Sequence, residues 1–128
     1  MSNRWVEEIK SNPNKTEFNF NWQEIGDKHV KQLFSYVSKN RPDVQTIYLG
    51  DNNIGAVGAR YIAEYLKYNS SLTHINLESN NIGVDGAQYI AESLKCNSSL
   101  THIDLGYNII GADGAKISSK IYRRIFEI

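Results

Sequence analysis

A repeat decides the fold: residues 44–71 read VQTIYLGDNNIGAVGARYIAEYLKYNSS, and residues 72–99 read LTHINLESNNIGVDGAQYIAESLKCNSS. These two segments are identical at 17 of 28 positions. Residues 100–115, LTHIDLGYNIIGADGA, match residues 72–87 at 11 of 16 positions. A fixed period of this length predicts a solenoid whose units stack on one another, because one unit alone cannot bury its apolar face.

A fainter copy precedes residue 44, where Phe18, Phe20 and Ile25 mirror Ile47, Leu49 and Ile54 at a spacing of 29. A chain of 128 residues is the length of one domain. We therefore predict a single domain over residues 1–128, with an N-terminal cap at 1–14. The predicted repeats span about 15–43, 44–71, 72–99 and 100–128.

Each unit combines two hydrophobic periods. Its first part alternates apolar and polar residues, as in Ile75-Asn76-Leu77, which predicts a short strand with one buried face. Its second part places apolar residues such as Ile62 and Leu66 at helical spacing. Asn69 and Asn97 stand where the helices should end, and we expect both to be left-handed C-caps.

This pattern resembles the leucine-rich repeat, L-x-x-L-x-L-x-x-N-x-L, and its helical half resembles the ribonuclease-inhibitor-like subclass. One copy of the pattern is formed by Leu72, Ile75, Leu77, Asn80 and Ile82, and the next by Leu100, Ile103, Leu105, Asn108 and Ile110. The resemblance implies an α/β fold: a right-handed solenoid in a short horseshoe arc, with a parallel sheet on the concave side and helices on the convex side. It also implies protein interaction as the usual activity, without naming a partner.

Recurring asparagines and glycines have structural explanations. Asn52, Asn80 and Asn108 follow the strands, where buried backbone groups need the donors and the acceptor that an amide supplies. The glycines are expected to permit tight turns and close helix approach; they are Gly55, Gly58, Gly83, Gly86, Gly111 and Gly114. No phosphate-binding motif accompanies them.

The outward strand positions form the candidate binding face, because the core positions of successive units are nearly fixed while these positions vary. Its predicted members are Trp22, Tyr48, Asp51, His74, Asn76, Glu78, His102, Asp104 and Tyr107. Three of them are aromatic residues of the kind enriched at binding hot spots. Together with Glu17, the acidic members predict a negative face. The alternative is an ordinary solvated sheet face without a ligand.

No combination of residues predicts catalysis or a cofactor. His74 and His102 fall on neighbouring strands and, with Asp104 or Glu78, offer metal-binding groups, but duplication copies a surface histidine as readily as a ligand. Ser99 joins His102 and Asp104 in one short extended segment, a spacing that does not orient a catalytic triad. The prediction is a non-enzymatic module that binds a protein or peptide on its concave face.

Composition narrows the partners and the compartment. Fourteen basic residues balance fourteen acidic ones, which removes the electrostatic reason to expect nucleic acid or an anionic membrane. The single cysteine, Cys96, suits a reducing compartment. The polar N-terminus has no apolar stretch typical of a secretion signal, so we expect a cytoplasmic protein, with signal-independent secretion left open.

The two ends differ from the middle. We expect Ser2 to cap a short helix whose Trp5, Val6 and Ile9 cover the first unit. At the other end, an apolar stripe predicts either a C-terminal cap or a homodimer contact; it consists of Ile117, Ile121, Ile125 and Ile128, with Phe126 beside it. The alternative function is therefore a self-associating structural solenoid, or a fragment of a longer array, that works through its terminal surfaces. On the helical side, packing between helices is the expected role of Tyr61, Tyr65, Tyr68 and Tyr89.

Overall fold

A computed structural model describes residues 3–108, so the predicted C-terminal stripe lies outside the described residues. Helices and strands alternate along the chain: α1 (Arg4–Lys10), β1 (Glu17–Asn19), α2 (Asp27–Asn40), β2 (Thr46–Tyr48), α3 (Ala56–Tyr68), β3 (His74–Asn76), α4 (Gly83–Leu94) and β4 (His102–Asp104). None of these described helices is long and apolar enough to cross a membrane.

The four strands form one parallel sheet in the order β1-β2-β3-β4. Successive strands pair at equivalent repeat positions, so their central residues, Phe18, Ile47, Ile75 and Ile103, lie in one row. The first three are buried, and Ile103 packs partly buried against the same core. Apolar residues of α2, α3 and α4 complete this core, which confirms the predicted strand and helix periods.

An asparagine ladder crosses the solenoid behind the strands, as predicted. The side-chain oxygen of Asn80 accepts hydrogen bonds from the backbone N–H groups of Asn52 and Ile54, at 3.0 and 2.9 Å. Its amide nitrogen donates to the carbonyls of Leu49 and Leu77. Asn52 and Asn108 make equivalent bonds to the preceding unit and to their own. Each amide therefore satisfies backbone groups of its own unit and of the preceding one.

A second ladder corrects the prediction for Asn69 and Asn97. Asn69, which follows α3, has extended backbone at φ −88° and ψ 142°, and Asn97 is not left-handed either. Both side-chain oxygens instead accept backbone N–H bonds two and three residues further on. The amide of Asn97 also donates to the carbonyls of Leu66 and Asn69. These asparagines thus join the ends of adjacent units through their side chains rather than through a left-handed turn.

Close helix approach explains Gly86. A Cβ at this position would lie 2.4 Å from Ile82 Cγ2 and 3.0 Å from the Cβ of Ala59 on the neighbouring helix. Gly83, which begins α4, has a φ of +69° that few other residues adopt. The predicted roles therefore hold at these two glycines, while Gly111 and Gly114 lie outside the described residues.

The N-terminal helix α1 covers the first unit, as predicted, but its cap is Asn3. The Asn3 side chain accepts hydrogen bonds from the N–H groups of Trp5 and Val6, which satisfies two donors of the first turn. Ser2 lies outside the described residues. Trp5, Val6 and Ile9 are buried in the common core, so α1 packs as a true end cap.

Arg41 fastens this cap, and the sequence patterns did not reveal it. Its guanidinium donates to three backbone carbonyls of the N-terminal segment, those of Ile9, Asn12 and Lys15. The guanidinium also forms a hydrogen-bonded ion pair with Asp43, and the hydrogen bond from Arg41 lowers the pKa of the Asp43 carboxyl. Five donors in a fixed plane make arginine suited to several acceptors at once.

The tyrosines of the helical side divide into two groups. Tyr65 is buried against Phe34, with ring centroids 4.8 Å apart, and Tyr61 is half-buried. Tyr68 and Tyr89 are exposed. Packing between helices, the predicted role, therefore describes Tyr65 and Tyr61 but not the two exposed rings.

Candidate functional site

The parallel register brings the predicted binding residues into columns. Glu17, Thr46, His74 and His102 pair in one row, and Asn19, Tyr48, Asn76 and Asp104 pair in the next. We call the surface formed by these eight positions and Glu78 the concave face. It lies opposite the buried row of strand residues, since successive side chains of a strand point to opposite faces. The columns read from the sequence thus match the register of the strands.

Tyr48 stands out in its column because its three neighbours all bind their own backbone. The side chains of Asn19, Asn76 and Asp104 each accept the N–H group two residues further along the chain. Tyrosine cannot take this role in the same way, and the corresponding N–H, that of Gly50, donates to Asn21 Oδ1 on the neighbouring unit at 2.6 Å. Tyr48 therefore does not make the backbone hydrogen bond that its column neighbours make, and its ring lies half-buried on the concave face.

His74 and His102 stack on each other, with ring centroids 4.2 Å apart and planes within 7°. The Nδ1 atoms lie 2.8 and 2.9 Å from the hydroxyls of Thr73 and Thr101. In the described part of the chain, no group of three or more His, Cys, Asp or Glu side chains is placed to hold a metal ion. The arrangement is a flat imidazole stack rather than a set of converging ligands.

The structure also does not join Ser99, His102 and Asp104 into a catalytic triad. Ser99 Oγ donates to the carbonyl of Leu72, and Asp104 accepts the N–H of Gly106. The Nδ1 of His102 lies against Thr101 instead of a carboxylate. None of the three side chains is engaged with another of the three, so the site lacks the relay that nucleophilic catalysis requires.

A second row lies where each strand turns into the solenoid, and we call it the loop edge: Trp22, Asp51, Ser79 and Tyr107. All four residues have left-handed backbone, with φ of 62°, 56°, 56° and 55°. The N–H groups of the first three still donate to the next unit, so they form the last rung of the sheet. The same left-handed turn therefore recurs in each of the four units, although the side chain at this position differs.

Bulky aromatic residues occupy the two ends of this row. Trp22 is 75% exposed and Tyr107 is 82% exposed, while Asp51 and Ser79 between them are half-buried. A left-handed φ is unusual for a bulky residue. The sequence predicted these residues as members of the candidate binding face but gave no sign of their backbone conformation, because no glycine marks the turn.

A shallow apolar groove lies on the helical side between α2 and α3 and encloses about 230 Å³. Phe34, Tyr61, Tyr65 and Tyr68 line it, with Lys31 and Glu64 among its other residues. The hydroxyl of Tyr65 is fully buried and has no hydrogen-bond partner among residues 3–108, and burial raises its pKa. Because this hydroxyl is closed to solvent, a ligand in the groove would meet only ring carbons there.

The architecture and its recurring asparagines agree with the family comparison. The Leucine Rich repeat family matches residues 42–63, 68–91 and 96–116, which together make up about half of the chain. The chain belongs to the leucine-rich repeat family. Among curated proteins, none matches this leucine-rich repeat chain.

The solved structures that resemble this leucine-rich repeat domain include an actin-binding domain and a tropomodulin domain. Leiomodin-1 Actin-Binding Site 2 is 27% identical, with a TM-score of 0.77, over 92% of this chain and 70% of that one. The tropomodulin C-terminal domain of Caenorhabditis elegans is 14% identical, with a TM-score of 0.61, over 97% of this chain and 92% of that one. The second shows a shared fold alone. The first likeness, to a domain named for a binding site, confirms the expectation of a non-enzymatic repeat domain.

Proposed function

We propose that this leucine-rich repeat domain binds a protein on its concave face, with actin as the first partner to test. The observation that supports this face is a set of three aromatic side chains: Tyr48, half-buried in the middle, and Trp22 and Tyr107, exposed at the loop edge. Large rings of this kind contribute most of the binding energy in many interfaces.

The likeness to leiomodin-1 supports actin as the candidate. That leiomodin-1 domain is named as an actin-binding site, and it aligns with 92% of this chain. A partner in the cytoplasm also suits the exposed, unpaired thiol of Cys96. Four strands at a spacing of about 4.8 Å expose less than the roughly 800 Å² per partner of a standard interface, so we expect micromolar rather than nanomolar affinity.

Direct binding to actin tests the proposal. The wild-type chain, labelled at a terminus, is titrated with actin monomers by fluorescence anisotropy and sedimented with actin filaments. We expect Tyr48→Ala to raise Kd by at least about fivefold, close to 1 kcal/mol, while the melting temperature stays the same.

Tyr61→Ala is the matched control, because Tyr61 is a half-buried tyrosine on the helical side. A larger loss with Tyr61→Ala than with Tyr48→Ala would move the binding surface to the helices. No binding to either form of actin would reject actin as the partner, and the same two variants would then be compared against proteins captured from cytosol.

A further inference from the structure

We propose that the loop edge binds an extended, basic segment of the partner protein, in which two arginine side chains four residues apart stack on Trp22 and Tyr107. This inference rests on the proposed function, because it specifies the chemistry of the protein that the concave face and its edge bind. The left-handed residues of the loop edge would then serve binding rather than the stability of the fold.

The shape of the row is the first argument. Trp22 and Tyr107 stand exposed at its ends, and the shorter side chains of Asp51 and Ser79 lie between them. Neighbouring strands lie about 4.8 Å apart, so the two rings are separated by three spacings, or about 14 Å. The result is a saddle with an aromatic wall at each end and a polar floor.

The period of an extended chain fits this saddle. A strand rises about 3.4 Å per residue, and residues i, i+2 and i+4 point to the same side. Residues i and i+4 are therefore about 14 Å apart on one side of the segment. A segment crossing the row would place residue i on Trp22, residue i+4 on Tyr107 and residue i+2 over Asp51 and Ser79.

Charge selects the kind of side chain. The outward strand positions and the loop edge carry four acidic residues and no lysine or arginine. The acidic residues are Glu17, Asp51, Glu78 and Asp104. Among the described residues, Arg4 lies next to the Trp22 end: its guanidinium donates to the carbonyl of Gln23 and lies over the ring of Trp5. The loop edge has one carboxylate, that of Asp51, and the other three lie on the concave face, while Trp22 and Tyr107 present exposed aromatic rings. This combination favours a guanidinium, which stacks on tryptophan and tyrosine rings.

Register-shifted peptides test this inference. The probes are fluorescein-labelled GRSSSRG, with arginines at i and i+4, and GRSSSSRG, with arginines at i and i+5 and the same net charge. A third peptide replaces both arginines of GRSSSRG with citrulline, which keeps the shape and removes the charge. By anisotropy against the intact chain, we expect GRSSSRG to bind at least about fivefold tighter than either of the other two.

Protein variants locate the binding. Trp22→Ala and Tyr107→Ala should each abolish the preference for GRSSSRG, while Trp22→Phe should retain it because the aromatic face remains. Tyr68→Ala is the matched control, since Tyr68 is also 75% exposed but lies on α3. Thermal unfolding of each variant confirms that it is folded. If Trp22→Ala is not, Trp22→Asn replaces it, because asparagine suits the left-handed backbone and removes the aromatic ring.

Equal affinity for the three peptides would overturn the inference, and so would a loss with Tyr68→Ala as large as that with Trp22→Ala. The actin titrations distinguish this failure from failure of the proposed function. If Tyr48→Ala weakens partner binding but the peptide register has no effect, the extended basic segment alone is wrong. If the register matters but Tyr48→Ala changes no partner's affinity, the segment is supported and the concave-face function is wrong.

Discussion

The loop edge and the asparagine ladder are adjacent in sequence, yet they follow opposite rules. In three successive units an edge residue precedes a ladder residue: Asp51-Asn52, Ser79-Asn80 and Tyr107-Asn108. The ladder position is asparagine each time, because the same buried backbone groups need the same amide. The edge position keeps one backbone conformation but changes its side chain completely.

This difference shows what each position contributes to the molecule. Inward residues are determined by the backbone that they satisfy, so substitutions there should reduce stability. The residues of the loop edge share one backbone conformation, but within the described chain their side chains make no hydrogen bond that would dictate their identity. Their effect should appear in binding, and in stability only through the backbone conformation that they must adopt.

The largest effect is expected at Arg41, which does for the N-terminal cap what the asparagines do for the repeats. Arg41→Ala would leave three carbonyls and Asp43 without their donor, so we expect a loss of about 3 kcal/mol in the free energy of unfolding. Urea denaturation followed by circular dichroism measures it. Arg41→Lys should lose part of this energy, because one ammonium cannot replace the planar guanidinium. An unchanged midpoint for Arg41→Ala would mean that the cap is held by α1 packing alone.

A smaller effect is expected inside the ladder. Asn80→Ala leaves the N–H groups of Asn52 and Ile54 unpaired, which should cost about 1–3 kcal/mol. The control on the concave face is His74→Ala, for which we expect a change within about 0.5 kcal/mol. Both values come from denaturation midpoints at pH 7. Equal losses would contradict the division between inward and outward positions.

The sequence predicted most of the fold because one short unit recurs. A spacing of 28 residues places Ile47, Ile75 and Ile103 in equivalent environments, and the same spacing gives the columns of the concave face. The repeat could not predict contacts that occur in one unit alone. Arg41 has no counterpart in the later repeats, and Asn3 rather than Ser2 caps α1.

The prediction for Asn69 and Asn97 failed for a related reason. Asparagine after a helix is compatible with either a left-handed cap or a side-chain cap, and a single helix does not distinguish them. The stacking of one repeat on the next favours the side-chain cap, because the amide of Asn97 donates to the carbonyls of Leu66 and Asn69 in the preceding unit. The left-handed turns occur instead at the loop edge, where tryptophan and tyrosine give no sequence signal for them. Use of the loop edge in binding stays a prediction.

The smallest expected effect is a gain in stability at the loop edge, whereas substitutions in the asparagine ladder should cause a loss. Trp22 holds a φ of 62°, a conformation that asparagine adopts more readily than a bulky aromatic residue. Its ring is 75% exposed, so little buried area would be lost on replacement. We therefore expect Trp22→Asn to raise the free energy of unfolding by about 0.5–1 kcal/mol, and Tyr107→Asn to do the same.

Tyr68→Asn is the control, because Tyr68 is equally exposed but ends α3 in ordinary helical backbone and should gain nothing. The same two edge variants should lose their preference for GRSSSRG, which would make the loop edge a place where stability is lower so that binding is possible. If Trp22→Asn instead destabilises the chain by more than about 1 kcal/mol, the ring contributes packing that offsets its strained backbone. The aromatic ends of the row would then be structural residues, and the loop edge would obey the same rule as the ladder beside it.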